Sequence, residues 1–207
     1  MPKRHKPKRT APPRDADEPI AGLRIIGGSF RGRKLKYSGD VRTRPMKDRV
    51  REAVFNLLGT QVADSHAIDL FAGTGALGLE ALSRGAARAT FIERHFPTAK
   101  LIEENAASLD VAGRVNVVFG DAFLWTAGYA PDGEMPLTVF CSPPYDFYVE
   151  RRDQMLNVIG RWMAIAPAGS QIVVEADERF DFSLLSNAEQ WDVRHYPPAI
   201  IGIYDRA

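Results

Sequence analysis

The chain contains a single cysteine, Cys141, among its 207 residues. One thiol excludes an internal disulfide and is typical of a protein in a reducing compartment. Long apolar runs are also missing, since no stretch of about 18 apolar residues is present to span a membrane. The charged start has no apolar segment of the kind found in a signal peptide. We therefore expect a cytoplasmic protein without a membrane partner.

Acidic residues are scarce in the first quarter of the chain. Residues 1–14 hold six basic residues and no acid, and residues 24–51 hold ten basic residues against two acids. Residues 52–207 carry 21 acids against 11 basic residues, so the net charge of +1 conceals two oppositely charged parts. A cationic end on a globular body is typical of enzymes that act on nucleic acid. The residues predicted to bind nucleic acid are Arg24, Arg31, Arg33, Lys34, Arg42, Arg44, Lys47, Arg49 and Arg51.

Composition and periodicity divide the chain into three parts. Residues 1–20 are rich in Pro, Lys and Arg without periodic apolar positions, which predicts a disordered basic tail. Residues 21–60 are predicted to form a small β-hairpin around a Gly/Arg turn and then a helix, and together to contact nucleic acid. Lys47 and Arg51 lie four residues apart on that helix, so we expect both on one exposed side near a substrate entrance. Residues 61–207 form the predicted catalytic domain.

A glycine-rich turn follows the first buried-strand pattern of that domain. The strand, residues 67–71, contains Asp69, and a second apolar strand ends at Glu93, about 20 residues after the first glycine. Glycines let the backbone turn tightly and approach a ligand. The pattern also fits a dinucleotide site, but a carboxylate at Asp69 would repel the pyrophosphate of NAD. S-adenosylmethionine carries an ammonium and a sulfonium instead, so the sequence favours it as the cofactor. The glycines are Gly73, Gly75 and Gly78.

Two further motifs follow later strand patterns. Asp121 comes after the third strand, where its carboxylate can accept from an adenine amine and the N–H of Ala122 can donate to the ring. The tetrapeptide Ser142–Tyr145 comes after the fourth strand, and its sequence is Ser-Pro-Pro-Tyr. Its two prolines fix φ and remove two backbone donors. This leaves a carbonyl and the serine oxygen to hold both hydrogens of a flat amino group, with Tyr145 free to stack on a base. The alternative is a purely structural role, in which the strand simply ends in a rigid turn.

The order of the patterns predicts the fold class. Five strand patterns precede a final antiparallel pair, in the order β-α-β-α-β-β-α-β and then β-β. This order predicts an α/β fold: a mostly parallel seven-stranded sheet with a reversed last strand, preceded here by a small hairpin and helix. Ligands of such sheets bind at the carboxyl ends of the strands. We therefore expect Asp69, Glu93, Asp121 and Ser142 at one edge.

The chain resembles the RsmD-type methyltransferases, which modify the N2 amine of a guanine in bacterial 16S ribosomal RNA. The resemblance runs from about residue 22 to the C-terminus. It rests on Leu23–Gly28, Arg31–Leu35, Arg44-Pro45 with Arg49–Asn56, Asp69–Gly78 and the Pro-Pro-Tyr segment. It implies a Rossmann-like class I methyltransferase fold, S-adenosylmethionine as cofactor and direct in-line transfer without a metal. It also implies ribosomal RNA or the small ribosomal subunit as partner of a monomer, so that residues 21–60 and the basic residues named above would be RNA-binding. By this resemblance the cofactor would be held by Asp69, Phe71, Ala72, Gly73, Gly75, Glu93, Arg94, Asp121 and Ala122, and the guanine by Ser142, Pro143, Pro144 and Tyr145.

The chain departs from this family at Ser142, where the family usually carries Asp or Asn. A neutral acceptor gives roughly half the strength of a charged one. If the target is guanine N2, we expect Ser142→Asp to keep or raise activity. DNA amino-methyltransferases that act on cytosine N4 or adenine N6 remain an alternative, because some carry Ser-Pro-Pro-Tyr. A catalytically impaired RNA-binding assembly protein is the second alternative.

Overall fold

The computed structural model describes residues 22–39 and 45–207. The predicted basic tail, residues 1–20, and two predicted RNA-binding residues, Arg42 and Arg44, lie outside this part of the chain. The helices are α1 (Asp48–Leu58), α2 (Ala76–Ser83), α3 (Phe96–Ser108), α4 (Ala122–Gly128), α5 (Phe147–Glu150) and α6 (Arg152–Ile165). The strands are β1 (His66–Asp69), β2 (Arg88–Glu93), β3 (Val115–Phe119), β4 (Leu137–Cys141), β5 (Gln171–Ala176), β6 (Trp191–Tyr196) and β7 (Ala199–Asp205).

The seven strands form one sheet in the order β3-β2-β1-β4-β5-β7-β6. Strands β1 to β5 are mutually parallel, and β7 runs antiparallel to both β5 and β6. The prediction of a mostly parallel α/β sheet with a reversed last strand is confirmed. The strand order reverses between β1 and β4, and the carboxyl ends of the strands beside such a point form a ligand-binding crevice.

Two hydrophobic clusters cover the two faces of the sheet. Alternate residues of one strand enter opposite clusters, as Phe140 and Val139 of β4 do. Parallel strands need this double cover, which explains their nearly continuous apolar sequences. The first cluster also contains Leu23, Ile25 and Leu35, so the N-terminal segment packs into the same core as the sheet.

Two local predictions were incomplete. The N-terminal hairpin is reduced to one antiparallel bridge between Arg24 and Lys34, with a 3-10 turn at Gly28–Phe30. Helix α4 was not foreseen; Asp121 caps its start by accepting from the N–H groups of Phe123 and Leu124. No helix among residues 22–39 and 45–207 has the length and apolar character needed to cross a membrane.

Candidate active site

One cavity of about 1380 Å³ lies at the carboxyl edge of the sheet. Strand β1 pairs with β4 so that Asp69 is in register with Phe140, which brings the turn after β1 beside Ser142. The lining contains all but one of the residues predicted to hold the cofactor or the base. Gly75 is the exception; it adopts φ +74° at the start of α2. The predicted residues that line the cavity are Asp69, Phe71, Ala72, Gly73, Glu93, Arg94, Asp121, Ala122, Ser142, Pro143, Pro144 and Tyr145.

Asp69 is a buried carboxylate with a spare oxygen. Its side chain is 1% exposed; Oδ2 accepts from the N–H of Gly78 at 3.2 Å, and Oδ1 has no partner among the described residues. Burial raises the pKa of Asp69 to about 7; the Gly78 hydrogen bond opposes this rise, and the charge of Glu93 adds to it. A cation in the cavity would therefore stabilise the ionised form of Asp69.

The glycine turn brings the backbone close to its neighbours. A Cβ on Gly78 would lie 2.3 Å from Cε1 of Phe91 on β2, so only glycine allows α2 to pack this closely on the sheet. Gly73 adopts φ +49°, a left-handed conformation that favours glycine. Its N–H donates to Oε2 of Glu93 at 2.8 Å, and Oε1 of Glu93 accepts from the N–H of His95 at 2.7 Å. Each carboxylate oxygen has a second lone pair, so Glu93 can still accept from a ligand hydroxyl.

An acid at the end of β5, Glu175, joins the Ser-Pro-Pro-Tyr segment. Ser142 Oγ donates to its Oε2, and the hydroxyl of Tyr145 donates to its Oε1 at 2.8 Å. The hydroxyl of Tyr148 donates to the backbone carbonyl of Glu175, also at 2.8 Å. Burial raises the pKa of Glu175, and the hydrogen bonds from Ser142 and Tyr145 limit that rise. The sequence did not lead us to predict Glu175 as a site residue, although it follows an apolar strand pattern as Asp69 and Glu93 do.

Three aromatic rings and two arginines form one wall of the cavity. Phe71 contacts Phe123 and Phe147 with ring centroids 5.6 and 6.1 Å apart. The guanidinium of Arg151 lies 3.8 Å from the centroid of Phe123, and that of Arg94 lies 5.7 Å from the centroid of Phe147. Apart from Phe71 and Arg94, these side chains were not expected at the site, because the unforeseen α4 and the short α5 position them. The wall combines flat apolar surface with positive charge.

The predicted RNA-binding residues occupy three kinds of position. Lys47 and Arg49 are exposed and line the cavity, and Arg49 Nη2 donates to the carbonyl of Pro197 at 3.1 Å, which joins the start of α1 to the β6–β7 connection. The prediction that Arg51 is exposed was wrong. The remaining described members are exposed elsewhere on the N-terminal segment: Arg24, Arg31, Arg33 and Lys34.

Arg51 is completely buried, because the N-terminal segment covers that side of α1. Its Nη2 donates to the carbonyl of Arg24 at 2.6 Å and to Oδ1 of Asp48 at 3.1 Å. Its Nε lies 3.9 Å from Oε2 of Glu80, which is also fully buried. Burial lowers the pKa of Arg51, and the charges of Asp48 and Glu80 oppose that shift. Arg51 therefore stabilises the fold and is not available to contact RNA.

Comparisons with known proteins agree with this architecture. The family model described as "Conserved hypothetical protein 95" matches residues 23–204. The ribosomal RNA small subunit methyltransferase D of Escherichia coli K12 is 45% identical over 123 residues, which are 59% of this chain and 60% of that relative, so the match spans less than two thirds of its length. Its namesake in Haemophilus influenzae is 34% identical over 68% of this chain and 73% of that relative. The solved structure of yhhF from Escherichia coli superposes with a TM-score of 0.73 at 32% identity, covering 89% of this chain and 98% of that one.

Proposed function

The chain belongs to the conserved hypothetical protein 95 family, the RsmD family, and we propose that it methylates the exocyclic N2 amine of a guanine in 16S ribosomal RNA with S-adenosylmethionine as methyl donor. One observation carries the proposal: a single cavity joins a buried carboxylate at Asp69 to the Ser142–Tyr145 segment and to the cations Lys47 and Arg49. The volume exceeds the roughly 300–1,000 Å³ of a typical ligand pocket, so it has room for a cofactor and a base together.

The side of the cavity formed by residues at the carboxyl ends of β1, β2 and β3 fits the proposed cofactor. The buried Oδ1 of Asp69, which has no partner in the described part of the chain, suits a group that brings positive charge, and Glu93 can accept from ribose hydroxyls. Asp121 uses Oδ1 to cap α4, which leaves Oδ2 for an adenine amine, while Ala122 begins the helix beside it. The bound cofactor would supply a methyl group made electrophilic by its sulfonium.

The β4 side of the cavity fits a flat amine. Because Ser142 donates its hydroxyl hydrogen to Glu175, its Oγ can only accept toward the cavity. A carbonyl of Ser142 or Pro143 would accept the second amine hydrogen. With both hydrogens held, the nitrogen lone pair is directed out of the base plane toward the methyl donor. Positioning of this kind can contribute about 7–11 kcal/mol to lowering the barrier.

Tyr145 can stack on the base while its hydroxyl stays bonded to Glu175. Burial, with the nearby charge of Glu175, raises the pKa of Tyr145, so the phenol keeps its proton. Stacking of a base on an aromatic ring is worth about 1–3 kcal/mol. The target base must leave its own stack to enter the cavity, which favours a single-stranded loop of the RNA. We propose that the enzyme acts as a cytoplasmic monomer on ribosomal RNA or on the small subunit.

Labelled S-adenosylmethionine tests the assignment directly. The chain would be incubated with free 16S rRNA, with small subunits lacking the modification, and with DNA. We expect label in the first or second substrate, recovered as N2-methylguanosine after digestion. Label in DNA alone would establish a DNA amino-methyltransferase instead. RNA binding without label in any substrate would indicate an assembly protein that has lost catalysis.

We expect Lys47→Ala with Arg49→Ala to weaken RNA binding by about tenfold at low salt, because both cations lie at the cavity and can contact phosphates. The slope of log affinity against log salt should fall by roughly 0.7 for each phosphate of a single strand that the variant no longer neutralises. Fluorescence anisotropy with labelled rRNA fragments measures both quantities. Arg194→Ala is the control, because Arg194 pairs with Asp192 on β6 at 2.7 Å and does not line the cavity. Equal losses for the double variant and the control would contradict a specific role for the cavity cations.

A further inference from the structure

We infer that the Glu175 carboxylate belongs to the amine-binding site, where it polarises the Ser142 hydroxyl that contacts the amine. Glu175 is a positioning residue in this scheme, because it acts on the amine through Ser142. The inference rests on the proposed function and adds a residue that none of the sequence motifs includes. It also explains how a neutral serine can serve at position 142, because the charge is supplied by Glu175.

The sheet brings the two residues together. Strands β4 and β5 are parallel neighbours with Cys141 in register with Val174, so the next residues along, Ser142 and Glu175, lie side by side where both strands end. The carboxylate is 7% exposed, and both of its oxygens accept from hydroxyl groups. The pairing therefore follows from the register of the two strands.

Glu175 fixes the two side chains that would touch the base. The hydroxyl of Ser142 is committed to Oε2 and the hydroxyl of Tyr145 to Oε1. The bond from Tyr148 to the Glu175 carbonyl ties the same strand end to α5. One carboxylate thus sets both the rotamer of the amine acceptor and the orientation of the stacking ring. The Pro143-Pro144 pair holds the backbone between Ser142 and Tyr145, so neither side chain has much freedom to drift.

The pairing changes what Ser142 can do. A hydroxyl that donates to a carboxylate becomes a stronger acceptor, because hydrogen bonds in a chain polarise one another in a low-dielectric site. Ser142 Oγ then presents partial negative charge to the amine hydrogen. A neutral side chain in place of Glu175 would remove this polarisation and would let the serine hydrogen rotate toward the amine, where it would repel the amine hydrogens.

Glu175→Gln is the primary test, because glutamine has nearly the shape of glutamate without its charge. We expect kcat to fall by about 10- to 100-fold, the loss of one charge-assisted hydrogen bond in the transition state. The KM for RNA and the Kd for S-adenosylmethionine should stay within about threefold, because the cations and the cofactor residues are unchanged. Glu189→Gln is the matched control, since Glu189 is exposed and does not line the cavity. Its kcat should stay within about twofold of the wild type.

A reciprocal exchange separates this role from a purely structural one. Ser142→Asp would place a second carboxylate against Glu175, so the structure reverses the sequence-based expectation: this variant should lose activity while Glu175 is intact. Adding Glu175→Gln removes the repulsion and should restore at least about tenfold of the lost kcat. Two independent structural defects would instead give losses that multiply.

The outcomes distinguish the inference from the function on which it rests. A wild-type chain that labels no nucleic acid overturns both. An active wild type with a Glu175→Gln variant of unchanged kcat overturns only the role of Glu175. Full activity of Ser142→Asp in the presence of Glu175 would also overturn the role of Glu175 and leave the proposed function standing. Calorimetric titration with S-adenosylmethionine shows that each variant is folded, so a lost kcat with retained cofactor binding counts in favour of the inference.

Discussion

Glu80→Ala is expected to lower the free energy of unfolding by about 3–5 kcal/mol, because it removes one member of a buried ion pair and the acceptor of two backbone N–H groups. Glu80 is fully buried in α2, and Oε2 and Oε1 accept from the backbone N–H groups of Ile26 and Gly27, each at 2.7 Å. Oε1 also accepts from Arg84 Nε at 2.9 Å, and Arg51 Nε lies 3.9 Å from Oε2. Alanine would leave the two backbone donors without these acceptors and would remove one of the two carboxylates near the Arg51 guanidinium, which keeps its bond to Asp48.

Urea unfolding followed by tryptophan fluorescence and by circular dichroism measures this loss. Glu52→Ala is the control, because Glu52 is exposed on α1, and we expect a change within about 0.5 kcal/mol. Loss of less than about 1 kcal/mol in Glu80→Ala would mean that water replaces the carboxylate without penalty. The same variant should also weaken RNA binding, because Glu80 fixes Ile26 and Gly27, and with them the segment that carries Arg24 and Arg31.

The burial of Arg51 against Glu80 could not be predicted from the sequence. Helical spacing predicted that Lys47 and Arg51 share one side of α1, but spacing does not reveal what covers that side. In the fold, the N-terminal segment packs across it, and Arg51 bonds to the carbonyl of Arg24. An arginine in a cationic run was interpreted as exposed because no local signal marks a buried partner 29 residues away at Glu80.

The carboxyl edge of the sheet was predictable for a physical reason. Parallel strands that alternate with helices place their carboxyl ends together, so an acid after each apolar run falls at one edge. That rule located Asp69, Glu93 and Asp121, and applied once more it would have located Glu175. Unlike Asp69, Asp121 and Ser142, however, Glu175 is not followed by a glycine turn, a helix cap or a proline pair that marks a site in the sequence. Helix α4 was missed although Asp121 is a preferred N-cap residue, since the helix spans only seven residues.

Asp69→Asn is expected to weaken binding of S-adenosylmethionine strongly while making the empty protein more stable at neutral pH. The side chain keeps its shape and can still accept from the N–H of Gly78, but it loses the charge that would attract a cationic ligand. We expect the Kd to rise by at least about 100-fold, as for the loss of a charge-assisted hydrogen bond in a buried site. Thermal denaturation with and without cofactor reports this: at 100 times the Kd, bound ligand adds about 2.7 kcal/mol to wild-type stability. The variant should show no such gain.

The gain in stability should depend on pH in a defined direction. Burial raises the pKa of Asp69 from 3.8 to about 7 in the folded protein. Below about pH 4 the carboxyl is protonated in both states, so it contributes no difference. As the pH rises from about 4 to about 7, the unfolded chain releases this proton first and the free energy of unfolding of the wild type falls. Above about pH 7 the penalty is constant, with an upper bound of about 4 kcal/mol.

Asp69→Asn lacks this titration, so the difference in stability between variant and wild type should widen from pH 4 to pH 7 and then stay level. The amide N–H₂ of asparagine would occupy the place of Oδ1, for which the described residues offer no partner. Burying the amide there reduces the gain in stability by about 1–3 kcal/mol at every pH. The pH dependence is therefore the sharper readout. A difference that stays flat from pH 4 to pH 7 would mean that Asp69 is ionised at no cost. Burial of Asp69 would then give no energetic advantage to a cationic ligand. The main physical reason for proposing S-adenosylmethionine as the cofactor would be lost.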